Sequence, residues 1–544
     1  MIALENDSPR TLIDDMLAEQ QSLTAVERFS RKHESGAMPA QARYYRDLIP
    51  LEKPRAGEQY AFAVDLDACT GCKACVSACH SLNGLDEDEI WRNVGVIVGG
   101  AAEAPYQQTI TTACHHCVEP GCLFGCPVAA YEKDVDTGIV RHLDDQCIGC
   151  SYCVLKCPYD VPKYSKKRGI VRKCDMCYNR LAADEAPACV QACPNEAITI
   201  RTVTLAEARA QTQTGVRLIH GAFDSSYTKP TTSYTTRKSI PANAQPGDIC
   251  RLRLEHPHWP LIWMLLLSQI SAGVFVCLAL ANFLPKIWFS KIAPPLALTG
   301  FAALQVGLVL SVFHLGKPLK AWRFFLGLRT SWMSREILVF GIFAAASAAV
   351  TSASFAQLAG SIPAFAPLFE RMPVELIARA TPLLTVLTAA TAIAAVFCSA
   401  MIYVDTRRPF WSASGTFPKF FGTLLLLGVA CAAVVLSWLA SVHSSSHFLA
   451  RNSSVCALLI GIAYAAWEIL FFRHSLRDPA APAHRSARTI WFLLRPQFGI
   501  RAALIAIATF VGIFAATASG PAQAISATLF FVLTFGSAII ERYC

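Results

Sequence analysis

The feature that most limits how this chain can fold is its cysteines: of 22, sixteen lie between Cys69 and Cys193. They form four runs: Cys69, Cys72, Cys75, Cys79; Cys114, Cys117, Cys122, Cys126; Cys147, Cys150, Cys153, Cys157; and Cys174, Cys177, Cys189, Cys193. Three runs end in Cys-Pro, at Pro127, Pro158 and Pro194. A cubane cluster takes four thiolates, three from one compact loop whose backbone amides point at the sulfides and a fourth from elsewhere, so sixteen ligands supply four 4Fe-4S clusters. Zinc competes for the Cys-x2-Cys pairs, but its sites use two pairs across a spacer and have no use for a third and fourth cysteine closing with proline. Disulfides fit less well, because closely spaced cysteines in a chain without an export signal stay reduced. His115 and His116, inside ACHHC, offer Rieske-type ligation, yet the thiol count is complete without them, and they read as supporting or surface residues.

The second half is of another kind. An apolar fraction of 53% and a mean hydropathy of +0.38 exceed what a soluble protein needs, and the excess follows Trp259. Apolar segments of bilayer length are expected at 260–284, 292–315, 336–358, 378–404, 417–442, 453–472, 498–518 and 522–540. So many long, nearly uncharged runs could not all be buried inside a soluble protein of this size. The fold class expected is an α+β, ferredoxin-like four-cluster domain followed by an all-α polytopic membrane bundle of about eight transmembrane helices. Residues 1–59 read as an N-terminal extension, 60–205 as the cluster domain, 206–257 as a Thr/Ser/Pro-rich connector with little structure of its own, and 258–544 as the membrane anchor. A helix is expected over 11–32, with a weak stripe of Leu12, Met16, Leu17 and Leu23, as an arm packing on its own domain. The first thirty residues contain no apolar run, small-residue cleavage site or twin arginine, so no export signal is expected.

The formal charge of +9 would suggest nucleic acid in a soluble protein, but here many basic residues lie in loops between apolar segments. Fourteen Lys and Arg fall on the side shared with the cysteine domain, including Lys317, Lys320, Arg323, Arg407, Arg408, Arg485 and Arg488, against five opposite. In a bacterium this asymmetry places the cysteine domain in the cytoplasm, on the inner membrane. Polar residues within the bundle are functional candidates. The stretch from 311 to 337 sets His314 at the end of one helix and Glu336 at the start of the next. A quinol oxidised there loses two protons with its two electrons, and a His with a Glu supplies acceptors. Equally, His314 caps its helix and Glu336 pairs with an arginine. Glu468, Asp405, His443 and His447 read as structural or snorkelling. Facing histidine pairs deep in the helices are lacking, so no haem is expected.

The segments ACTGCKACVSAC, TTACHHCVEPGCLFGCPVAAYEKD, DDQCIGCSYCVLKCPYDVP and RKCDMCYNRL with PACVQACP resemble the iron-sulfur subunit of dimethyl sulfoxide reductase-type molybdenum enzymes, across nearly all of residues 60–205. The resemblance implies that Cys69, Cys72, Cys75 and Cys193 hold one cluster, and Cys174, Cys177, Cys189 and Cys79 a second. It gives Cys114, Cys117, Cys122 and Cys157 to a third, and Cys147, Cys150, Cys153 and Cys126 to a fourth. The 311–337 stretch, the eight-helix pattern and the closing Glu541-Arg542 resemble the membrane anchor of the same enzymes, which implies quinol binding at His314 and Glu336. A fusion of these two subunits would pass electrons between menaquinol or ubiquinol and a separate molybdopterin-containing catalytic subunit, since this chain has no pterin fingerprint. Such a complex serves anaerobic respiration, or runs in reverse as a sulfite dehydrogenase. The alternatives are a self-contained ferredoxin:quinone oxidoreductase without a molybdenum partner, and a redox sensor or scaffold.

Overall fold

The computed structural model describes residues 11–21, 46–50, 52–213, 215, 217–219, 222–249, 257–360, 374–442, 447–479 and 483–543. The first part is a small α+β domain organised by one strand pairing. Strand β1 (Glu58–Asp65) runs directly into the first cysteine run, and β8 (Ile198–Thr204) leads directly out of the last. The two pair antiparallel, from Glu58 opposite Thr204 to Val64 opposite Ile198. Six consecutive residues of β1 are buried, which fits an apolar strand covered on both faces. A second sheet is the hairpin of β2 (Asn93–Ala101) and β3 (Ala104–Thr112). Two short hairpins, β4 (Tyr131–Lys133) with β5 (Val140–His142) and β6 (Lys163–Ser165) with β7 (Ile170–Arg172), brace the second and third runs.

The connector is more ordered than its composition suggests. It adds β9 (Ser233–Thr235) in parallel to β1, and β10 (Gln245–Pro246) to the edge of β2. Edge strands tolerate proline and polar residues, so their sequence carries little strand signal. At the N-terminus the helix expected over 11–32 is present over Leu12–Gln21, with its remainder outside the described residues. Leu12 and Met16 are exposed there, and not packed on the domain as the stripe suggested.

Among the described residues eight helices long and apolar enough to cross a membrane follow: α1 (Trp259–Leu280), α2 (Lys286–Val312), α3 (Trp332–Gly360), α4 (Val374–Val404), α5 (Ala413–Val442), α6 (His447–Arg477), α7 (Arg495–Thr517) and α8 (Gly520–Tyr543). Packing divides them into α1–α4 and α5–α8, with α1 against α5 at the seam. These two are the most enclosed, at 72% and 67% of their apolar windows, while α6 and α7 bury only 11% and 17% and turn apolar side chains outward, as a lipid-solvated bundle requires.

The seam depends on two glycines. A Cβ at Gly428 would lie 2.3 Å from the Gly273 Cα, and one at Gly273 would lie 2.3 Å from the Leu424 carbonyl oxygen. No side chain fits between backbones at that separation. Gly428→Leu is therefore expected to destabilise the bundle by about 1–3 kcal/mol, read as a lowered melting temperature of the detergent-solubilised protein. An unchanged melt would mean that the seam is not close-packed.

The domain docks on the bundle through the α2–α3 loop and the turn after α4. Gly327 N donates to Pro127 O at 2.9 Å, Lys317 N to Ile148 O at 3.0 Å and Ser331 Oγ to Gly125 O at 2.7 Å. From the other side Tyr152 Oη donates to Ile402 O (3.1 Å), Lys156 Nζ reaches the Asp405 carboxylate (2.6 Å), and Arg408 donates to Val154 O and Leu155 O (both 3.0 Å).

Candidate functional site

Each cysteine run folds by the same backbone device. Two residues after the first cysteine the chain enters the left-handed region, at Gly71 (φ 76°), His116 (39°), Gly149 (71°) and Met176 (59°). That reversal turns amides back toward sulfur: Gly149 N donates to Cys147 Sγ and Met176 N to Cys174 Sγ, both at 3.4 Å. A second reversal follows each Cys-Pro, at Ala129 (52°), Asp160 (53°) and Glu196 (53°). It aims Ala130 N at Cys126 Sγ (3.2 Å) and Ala197 N at Cys193 Sγ (3.3 Å). The proline fixes φ just after the cysteine and has no N–H of its own, which leaves the later amides to reach the thiol.

The fold then gathers thiols from different runs. One cavity of about 300 Å³ is lined by Cys69, Cys72, Cys75 and Cys193, brought together by the β1–β8 pairing. A second, of about 360 Å³, is lined by Cys114, Cys117, Cys122 and Cys157. A third, of about 270 Å³, is lined by Cys126, Cys147, Cys150 and Cys153. The remaining four lie within electrostatic reach of one another, Cys79 of Cys177 and Cys189, and Cys174 of Cys79 and Cys189 as well as of Cys114. Among the described residues no three His, Cys, Asp or Glu side chains close on the position of a single metal ion. In three of the sets four thiols instead line one pocket, a donor set suited to a multi-iron cage.

Burial pushes the Cys79, Cys150 and Cys177 thiols up to about 12 and the Cys126 and Cys157 thiols up to about 11. Thiols so placed become thiolates only when a bound cation offsets the desolvation. His115 lines the Cys114 cavity, but its Nδ1 is hydrogen-bonded to Thr232 Oγ1 at 2.8 Å. His116 Nδ1 accepts from Val140 N at 3.0 Å.

The Cys126 set faces the membrane. Pro127, Ile148 and Tyr152, which line its cavity or flank its cysteines, are among the residues that bond to the bundle, and Leu315 packs on the same apolar cluster. His314 precedes Leu315. Its Nδ1 bonds to the Ser311 carbonyl, and its Nε2 is buried without a partner. That pairing makes Nδ1 the donor and leaves Nε2 as a bare acceptor. Burial also holds the imidazole pKa below its usual 6.5.

Glu336, in the second turn of α3, is 7% exposed and accepts from Ser399 Oγ on α4. No ion pair to arginine forms at Glu336 among the described residues, and no hydrogen bond joins it to His314. Of the other polar candidates, Glu468 pairs with Arg501 at 2.6 Å and Asp405 with Lys156, while His443 lies outside the described residues. Sequence reasoning missed Ser399, Tyr152 and Lys156. Only the last two had a local signal, as polar groups inside the third cysteine run.

Comparison with known proteins matches each half of the protein to a family. Residues 254–544 match the family model of the DMSO reductase anchor subunit (DmsC), and residues 106–203 match that of a 4Fe-4S dicluster domain. The protein is 36% identical over 168 residues to the B subunit of the anaerobic dimethyl sulfoxide reductase of Haemophilus influenzae, covering 29% of its own length and 82% of the relative. With the B subunit of the same enzyme from Escherichia coli K12 it shares 36% over 148 residues, 26% of its own length and 72% of the relative. With the iron-sulfur subunit of the nitrate-inducible formate dehydrogenase of E. coli K12 it shares 34% over 157 residues, 26% of its own length and 53% of the relative. The first half is thus an iron-sulfur electron-transfer module and the second a multi-pass membrane anchor, of a kind that works with a molybdoenzyme. The protein belongs to the DMSO reductase anchor subunit family, and carries the iron-sulfur module fused ahead of the anchor.

Proposed function

We propose that this protein passes electrons from membrane quinol, bound at His314 and Glu336, through four 4Fe-4S clusters to a separate molybdopterin-containing catalytic subunit. The cluster sets are Cys69, Cys72, Cys75 and Cys193; Cys79, Cys174, Cys177 and Cys189; Cys114, Cys117, Cys122 and Cys157; and Cys126, Cys147, Cys150 and Cys153. What supports the reading most is that three cavities are each lined by four cysteines drawn from two runs. When bound, the clusters supply one-electron carriers in series.

The protein's own residues handle the protons. The bare Nε2 of His314 takes one, and the Glu336 carboxylate, steadied by Ser399 Oγ, takes the other. Leu315 packs on the apolar cluster around the Cys126 set, and Tyr152 ties that set to α4 through the Ile402 carbonyl. Residues 60–205 form the cluster domain, 206–257 the connector and 258–544 the anchor. The excess of loop basic residues on the docking side supports a cytoplasmic, inner-membrane orientation of the domain.

Anaerobic copurification tests the whole assignment. The native complex is expected to contain molybdenum in a second subunit and about 16 Fe per copy of this protein, four cubanes of four irons each. An iron content near half that figure would overturn the four-cluster reading.

A further inference from the structure

Two cations are sealed inside the cysteine domain without carboxylate partners. Arg92 and Lys173 are each 2% exposed, and neither forms an ion pair among the described residues. The Arg92 guanidinium lies 4.6 Å from the Phe62 ring centroid, and Nη1 donates to Thr111 Oγ1 at 3.3 Å. Thr111 Oγ1 is in turn 3.7 Å from Cys75 Sγ. The Nε and Nη2 of Arg92 are buried with no partner, and the ionisable groups that act on it include Cys75, Cys79, Cys174 and Cys189. Lys173 Nζ donates to Val140 O and to Cys174 O (2.8 Å), lies 3.7 Å from Cys114 Sγ, and lines the Cys114 cavity.

A buried cation without a counter-charge costs several kcal/mol, so each of these two calls for an anion. The nearest groups able to become anionic are the cysteines, and a cubane held by four thiolates is itself an anion. Arg92 sits between the Cys69 set and the Cys79 set, and Lys173 between the Cys79 set and the Cys114 set. The Cys126 set differs. Its neighbours are the Tyr131 phenol and His142, the latter balanced by Asp144 at 2.8 Å.

We propose that Arg92 and Lys173 are positioning residues that raise the reduction potentials of the clusters on either side of them, leaving the membrane-side cluster untuned by either. The inference rests on the cluster sets given under Proposed function. A cation favours the more negative, reduced state of its neighbour, and the effect grows where water is excluded.

The test is an EPR-monitored redox titration of the anaerobically purified complex carrying Arg92→Met, Lys173→Met, Arg92→Lys or Lys173→Arg. Arg92→Met is expected to lower two of four midpoints, each by at least about tenfold in the oxidised-to-reduced ratio, which is 59 mV for one electron. Lys173→Met is expected to lower two as well, one of them shared with Arg92→Met, and the fourth midpoint stays fixed in both. The charge-conserving variants retain wild-type potentials. Unmoved midpoints at full iron content, a uniform shift of all four, or equal loss in the charge-conserving variants would each overturn the inference. A wild-type complex with fewer than four transitions would instead defeat the cluster sets themselves.

Discussion

Glu336→Gln is expected to slow quinol-linked turnover of the assembled complex by about 10²–10⁴-fold, the usual contribution of a positioned proton acceptor, while turnover driven by a reduced dye that feeds the clusters directly is retained. The glutamine keeps the volume and can still accept from Ser399 Oγ, so the buried pocket between α3 and α4 stays filled and only proton acceptance is lost. His314→Ala should give the same split between donors, because its free Nε2 is the second acceptor. Ser399→Ala should fall between these variants and wild type, since it removes a donor to Glu336 and leaves the carboxylate in place. Equal loss of quinol-linked and dye-linked rates would mean that these residues hold the assembly together and do not meet quinol.

Gly316→Val should break the same pathway by a different route. A Cβ at Gly316 would lie 2.0 Å from the Gly169 carbonyl oxygen, and one at Gly149 would lie 2.3 Å from that oxygen and 3.0 Å from the Gly316 Cα. Three backbones therefore meet where the α2–α3 loop touches the third cysteine run. The branched side chain of valine must push the loop off the domain, taking His314 and Leu315 away from the Cys126 set. Overpacking of this kind costs about 1–3 kcal/mol where it is tolerated, and undoes the contact where it is not. The expected result is normal iron content, normal dye-linked turnover and a quinol-linked rate reduced by about tenfold or more, since misplacement by about 1 Å alone can cost far more. Retained quinol turnover would show that electrons do not cross at this contact.

Local spacing carried much of this in the sequence. The Cys-x2-Cys steps and the three Cys-Pro closures are chemistry written within a few residues, and the eight apolar runs need no tertiary information to be read. The helix starts moved outward, as with α6, which begins at His447 where 453 was expected, because a bilayer-length core says nothing about the polar turns that extend it. The edge strands β9 and β10 were not legible, since Ser233–Thr235 and Gln245–Pro246 owe their conformation to the strands they border. Arg92 and Lys173 were passed over for a related reason. In the sequence each is one basic residue among 48, and only the fold buries it beside cysteines of two different sets.

The β1–β8 pairing also dictates an order of events during synthesis. The Cys69 cavity stays open until Cys193 and β8 have left the ribosome, so iron supplied to the nascent polypeptide earlier than that would meet three thiols and no fourth. Closing so long a loop is slow compared with forming the local hairpins. Trp259, where α1 begins, is translated only after β8 is complete. A pause between β8 and α1 would let the domain close before the insertion machinery engages α1, and faster elongation would favour anchors delivered to the bilayer with vacant cysteine cavities.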